Sequence, residues 1–291
     1  MYVKRNQMNH FLLALILSTL SLVPVFGQVT SKPAPQKTAD RPDRVERAKA
    51  KYEKLFGQPI TPSKTDPELM TILQRSIFGE VFYIGDLDDK TRELITLTAL
   101  VTNQTLPQLT PHTNAALNVG VTPIEIREVV YQCAPFIGYP SVLNALDVIN
   151  KVFDSRGIKL PLENKATVKE GERLERGREK QAPLYGNAMQ QNMKILPGEF
   201  AEAIPQMLTE SCFGDFYTRA GLDLKTRELM IFCALVTLGG TERQLASHAV
   251  GNLKVGNSKE TLLATLVQLN PYIGFPRISN AISILKDAKI D

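Results

Sequence analysis

The sequence predicts an all-α fold made of two repeated units, and three observations predict it. A block is repeated: Lys90-Thr-Arg-Glu-Leu94 and Ala99-Leu-Val-Thr102 recur as Lys225-Thr-Arg-Glu-Leu229 and Ala234-Leu-Val-Thr237, in the same register, and His248 answers His112. Apolar residues recur at helical spacing, and no segment alternates apolar and polar with the period of a strand. Caps and breakers punctuate both halves in the same order.

The N-terminal residues read as an address. Lys4 and Arg5 precede an apolar run from Phe11 to Val23, and Val25 and Gly27 suit a small-residue cleavage site. The run is about 13 residues, against about 20 for a spanning helix. Residues 1–27 are therefore expected to be a signal peptide, which predicts a periplasmic or secreted protein with no membrane association after cleavage. Residues 28–42, rich in Ser, Pro, Thr, Lys and Gln, read as a disordered leader.

The first unit spans 43–155. Arg44 to Phe56 forms a charged amphipathic helix stopped by Gly57. Asp66-Pro67 opens a second helix, with Leu69, Ile72, Leu73, Ile77 and Phe78 on its apolar face. A turn region covers Gly79 to Leu87, and Asp88 or Asp89 caps a third helix through Thr102. This helix is apolar nearly all round, which predicts burial. Thr105-Leu-Pro107 interrupts, and a fourth helix runs from about Gln108 to Val119. Thr122 and Glu125 form a capping box for a fifth. Pro135 to Pro140 breaks that helix, and a last one reaches about Phe153.

Residues 156–171 are the expected linker, and 172–291 the second unit. Its predicted helices are Glu172–Lys180, Phe200–Phe213, Asp223–Thr237, Glu242–Val255 and one capped by Ser258, with Pro271 to Pro276 as the matching break.

Composition narrows function. A net charge of +4, with no Lys/Arg run interleaved with aromatics and no Trp, argues against a nucleic-acid partner. The cysteines, Cys133, Cys212 and Cys233, are odd in number, form no C-x-x-C and sit among apolar neighbours, as small core residues do. No cofactor is expected: there is no Gly-rich phosphate loop or nucleophile elbow. One His per unit, without a nearby His or Cys, does not assemble a familiar metal site.

The candidates for chemistry are His112 and His248 as general acid/base groups, each followed one turn later by small or amide residues (Ala115-Ala116 and Gly251-Asn252) that leave room beside the ring. Their alternative is a hydrogen-bonded core histidine copied by duplication. Glu93 and Glu228 lie in otherwise apolar helices, where a carboxylate must reach solvent or hold a partner. They would orient the imidazoles, or lock helices together. Adjacent helix positions point about 100° apart, so Arg92 and Arg227 need not pair with them.

Arg92-Glu-Leu, Gln108-Leu-x-x-His112, Ala116-Leu-x-x-Gly120, Thr122-x-x-Glu125-Ile, Gly138-x-Pro140 and Ala145-Leu together resemble the carboxymuconolactone decarboxylase family, which includes alkylhydroperoxidase-D-like proteins. The second half keeps Arg227-Glu-Leu, Gln244-Leu-x-x-His248, Leu253-x-x-Gly256 and Gly274-x-Pro276, but has Thr261-Leu262 in place of Glu125-Ile126. The resemblance implies helical units that assemble into homo-oligomers, a trimer for a tandem chain. For the peroxidase branch it implies C-x-x-C-x-x-x-H. Those cysteine positions hold Thr105 and Gln108, and Thr241 and Gln244, none able to exchange a disulfide. For the decarboxylase branch it implies cofactor-free chemistry on a small lactone or keto acid, with His112 or His248 moving the proton, Glu93 or Glu228 orienting it, and Arg92 or Arg227 meeting the substrate carboxylate. The signal peptide points to a substrate other than the family's cytoplasmic lactone. Two other readings stay open: a non-catalytic binding or scaffold protein, and a peroxidase working through Cys133, Cys212 or Cys233.

Overall fold

In the computed structural model of the chain, residues 43–289 are described; the expected signal peptide and the expected leader lie outside them. The described residues contain helices and no strand. The first repeat comprises α1 (Arg44–Phe56), α2 (Pro67–Gly79), α3 (Asp89–Asn103), α4 (Leu106–Asn118), α5 (Pro123–Ile137) and α6 (Tyr139–Ser155). The second comprises α7 (Arg173–Tyr185), α8 (Ala188–Met193), α9 (Phe200–Leu208), a π-helical segment (Thr209–Tyr217), α10 (Leu224–Leu238), α11 (Glu242–Lys254), α12 (Lys259–Ile273) and α13 (Phe275–Asp287).

The caps sit where the sequence places them. Asp88 and Asp223 accept from the backbone N–H of Thr91 and Thr226, and Ser258 from that of Thr261. Thr122 and Glu125 close the capping box. Each such cap satisfies N–H groups that a helix start otherwise leaves open.

Four local expectations are corrected. Pro135 and Pro271 do not end their helices: α5 and α12 run on to Ile137 and Ile273. The break is one residue, Gly138 or Gly274, at φ 81° and 78°, where a side chain would be strained. Pro107 lies inside the first turn of α4, where its missing N–H has no intrahelical partner to lose. The single helix expected over Phe200–Phe213 becomes α9 followed by the π segment, while the first repeat has α2 and a 3₁₀ turn at Val81–Tyr83. The short helix α8 carries no amphipathic signal long enough to be read in advance.

The two repeats share one core. Every residue from Arg92 to Val101 in α3, and from Arg227 to Thr237 in α10, is buried. These two helices pack on one another, and each also packs on a helix of the other repeat, α3 on α12 and α10 on α5. A single hydrophobic cluster runs through both halves, including Leu97, Ile126, Val129, Phe232, Leu262 and Leu269. At about 25 cal/mol per Å² of apolar surface, this shared burial makes the repeats interdependent. Among the described residues no helix is long and apolar enough to cross a membrane.

Candidate active site

The middle of α3 delivers Glu93 to the face of α4 that carries His112. The His112 Nδ1 lies 2.9 Å from Glu93 Oε2. In the second repeat, α10 and α11 repeat the arrangement, with His248 Nδ1 3.0 Å from Glu228 Oε2. Both carboxylates are fully buried, while the two imidazole side chains keep 10% and 12% exposure. A carboxylate at Nδ1 fixes that nitrogen as the protonated one and directs Nε2 away from the core. Neither Nε2 has a protein partner or is sealed from solvent, so each can exchange a proton with a small molecule at the surface.

Each imidazole also borrows an aromatic ring from the other repeat. The Tyr272 ring of α12 meets His112 edge-on at 5.6 Å, and the Phe136 ring of α5 meets His248 at 5.6 Å. Both aromatics stand in the Pro-x-Ile-Gly-x-Pro break. The sites are therefore products of the paired repeats, and neither unit alone would complete one.

The environments differ. In the second repeat, Tyr217 donates to Glu228 Oε1 at 2.6 Å, and Tyr185 donates to Oε2 at 2.7 Å while lying 2.7 Å from His248 Nδ1. Burial and the neighbouring Glu228 charge push both phenols well above their ordinary range, so they remain donors. Asn252 adds bonds to the carbonyl oxygens of Glu228 and His248. The room expected beside His248 is filled: a Cβ on Gly251 would come within 2.6 Å of the Tyr185 hydroxyl. In the first repeat the corresponding residues are Phe56, Phe82, Ala115 and Ala116. There Glu93 Oε1 and the Tyr272 hydroxyl are buried without a hydrogen-bond partner. Both tyrosines were missed in the sequence; the exchange of Leu-Phe-Gly for Leu184-Tyr-Gly186 between repeats is the signal that points to one of them.

The substrate-binding expectation for Arg92 and Arg227 is corrected. Arg92 is 1% exposed, and all five of its N–H groups are engaged. Nε donates to Leu87 O, Nη1 to Val81 O and Gln268 Oε1, and Nη2 to Ile84 O and Gly85 O. Arg227, equally buried, donates to Gln132 Oε1, Arg219 O and Glu128 Oε2. Burial lowers the pKa of both guanidinium groups from its ordinary value. Gln132 and Gln268 occupy matching positions, so each arginine clamps its own loop to the other repeat. The 100° step along the helix sends Glu inward to the imidazole and Arg to this junction.

The cysteines are free and buried. Burial pushes the Cys133 thiol up to about 12 and raises Cys212 and Cys233 as well, which disfavours the nucleophilic thiolate. Among the described residues no three His, Cys, Asp or Glu side chains are grouped as metal ligands.

The model of the carboxymuconolactone decarboxylase family matches twice, over residues 67–151 and 202–287, one match in each repeat. Over 91 residues the chain is 30% identical to the 4-carboxymuconolactone decarboxylase of Acinetobacter baylyi, covering 31% of this chain and 68% of that one. It is 38% identical over 77 residues to the nitrosuccinic acid decarboxylase of Metarhizium robertsii, covering 26% and 54%. A 15.0 kDa Paracoccus denitrificans protein is 37% identical over 78 residues, covering 26% and 58%. The chain thus spans between about half and two thirds of the length of these curated relatives. A Burkholderia xenovorans crystal structure, described as a gamma-carboxymuconolactone decarboxylase subunit, aligns with a TM-score of 0.48 at 20% identity, covering 84% of this chain and 96% of that one. With one match in each repeat, together spanning more than half of its length, the chain belongs to the carboxymuconolactone decarboxylase family.

Proposed function

We propose that this protein is an exported, cofactor-free acid/base enzyme that decarboxylates or isomerises a small lactone or keto acid. The observation that carries the proposal is the buried Glu–His pair in each repeat, with Nδ1 held by the carboxylate and Nε2 left free. Decarboxylation needs little more. The C–C bond to the carboxylate breaks, CO₂ leaves, and the electron pair passes into a conjugated carbonyl of the substrate as an enolate. The imidazolium Nε2–H then delivers a proton to carbon, and the Glu93 or Glu228 side chain on Nδ1 stabilises the imidazolium that precedes transfer. Isomerisation uses the same imidazole to take a proton from one carbon and return it to another. The decarboxylase relatives support this reading, as does the absence of cysteine at positions 105, 108, 241 and 244. Export rests on the sequence of residues 1–27, and homotrimer formation on the family resemblance.

The test is CO₂ release from a panel of β-keto acids and carboxylated lactones, run in D₂O with product analysis by NMR. Stoichiometric CO₂ with one deuterium on the former carboxyl-bearing carbon is the expected result. Peroxide reduction in place of CO₂ release, retained in a variant lacking all three cysteines or lost in it, would replace this reading.

A further inference from the structure

From the side chains around Glu128 we infer a second ligand site, distinct from the imidazole sites, that takes a small organic acid with an apolar body. The first observation is a charge imbalance. The fully buried Glu128 carboxylate is met by Arg219 at 2.9 Å through both Nε and Nη2, by Arg127 at 3.2 Å and by Arg227 at 3.4 Å. Lys165 stands nearby but is matched by Glu163 at 2.7 Å. Three guanidinium groups thus share one carboxylate, and a buried charge is costly unless paired.

The second observation is an unfilled donor. Arg127 is 8% exposed, and its Nη2 binds Glu128 and the Glu163 carbonyl oxygen. Its buried Nε has no partner. The third is the space beside it. A cavity of about 690 Å³ is lined by Arg127 and Arg219 together with Leu146, Phe153 and Leu162. Both guanidinium groups also lie over the Tyr131 ring, with Arg127 Cζ 5.5 Å and Arg219 Cζ 5.1 Å from its centroid. Surplus positive charge and apolar side chains lining one cavity match a carboxylate on a hydrophobic or aromatic body.

The second repeat does not contain this site. Leu263, Ala264 and Val267 stand where the first has Arg127, Glu128 and Tyr131. Arg127, Glu128 and Tyr131 of the first repeat meet Arg219 and Arg227 of the second at this place only, so one ligand binds per chain. It shares no residue with either Glu–His pair, so its test does not depend on the proposed reaction.

The experiment is calorimetric titration of the full chain with benzoate at low salt, with benzamide and inorganic phosphate as comparison ligands. One benzoate per chain is expected, with benzamide and phosphate each about ten-fold weaker or more, as loss of a charge-assisted hydrogen bond or of the apolar contact implies. Arg127→Gln is expected to weaken benzoate by a similar factor, and it leaves Arg219 and Arg227 on Glu128. Asn150→Trp, at an exposed position on the cavity lining, blocks the space without touching the ion pairs and is expected to abolish binding; it decides the question if Arg127→Gln does not fold. His112→Ala and His248→Ala are expected to bind benzoate as the wild type does. Absence of saturable benzoate binding, phosphate binding as tight as benzoate, binding untouched by Asn150→Trp, or binding lost only in the histidine variants would each overturn the assignment.

Discussion

Tyr217→Phe removes one oxygen atom from the protein, and the structure sets what that oxygen is worth. The Tyr217 hydroxyl is buried and donates to Glu228 Oε1 at 2.6 Å. Phe fills the same volume, so no cavity term enters. The loss is one hydrogen bond to a charged acceptor, about 1.5–3 kcal/mol, and it leaves a carboxylate oxygen dry and unpaired. The first repeat indicates the lower part of that range, because Glu93 already folds with an unpartnered Oε1 and Phe82 at the position of Tyr217. About 2 kcal/mol is therefore expected, which for a body of this size is a fall in Tm of roughly 4–8 °C. Urea denaturation followed by circular dichroism reads the same quantity as a lower midpoint at unchanged slope. A variant within about 0.5 kcal/mol of wild type, the range of ordinary surface substitutions, would show that this bond does not hold Glu228, and the inequality of the two sites would lose its basis.

Three further outcomes follow from the same geometry. Gly251→Ala should cost about 1–3 kcal/mol through overpacking against the Tyr185 hydroxyl, and Tyr185→Phe in the same chain should relieve that clash, as the Phe56/Ala115 pair does in the first repeat; a double-mutant cycle with no coupling would refute it. Arg92→Leu should lower Tm by roughly 10 °C or more, because it strands four loop carbonyls and Gln268, and a raised KM with unchanged Tm would restore the substrate-binding role instead. Alkaline pH should destabilise the fold: Tyr185, Tyr217, Tyr272 and the three cysteines all have pKa values raised by burial, so they keep their protons when folded. The unfolded chain releases those protons from about pH 8.5 for Cys and about pH 10 for Tyr, so this stability is present below those values and is lost as pH rises beyond them. Urea midpoints that stay flat from pH 8 to pH 11 would contradict this.

What the sequence made legible was whatever a single segment can encode. The all-round apolar character of residues 94–101 predicted burial, and Asp88, Thr122, Asp223 and Ser258 marked helix starts because a side-chain cap acts within three residues. The Glu–His pairing was accessible because duplication kept both members together. The arginines were misjudged because their partners, Gln268 and Gln132, lie in the other repeat, and no local pattern announces a clamp across so long a separation. The two tyrosines escaped for a similar reason: each is an ordinary aromatic in its own helix and becomes a carboxylate donor only once α7 and the π segment fold over Glu228. Pro135 misled because a proline within a helix forfeits its own i→i−4 bond and can kink the helix without ending it; α5 runs two residues further to Ile137, and Gly138 makes the turn.

The central claim is that the two imidazoles move the proton. It is tested most directly by kcat for CO₂ release in His112→Gln, His248→Gln and the double variant, each first shown to retain the wild-type circular dichroism and Tm within a few degrees. The account predicts that the double variant loses about 10²-fold or more in kcat while staying folded. A folded double variant that releases CO₂ at the wild-type rate would contradict it.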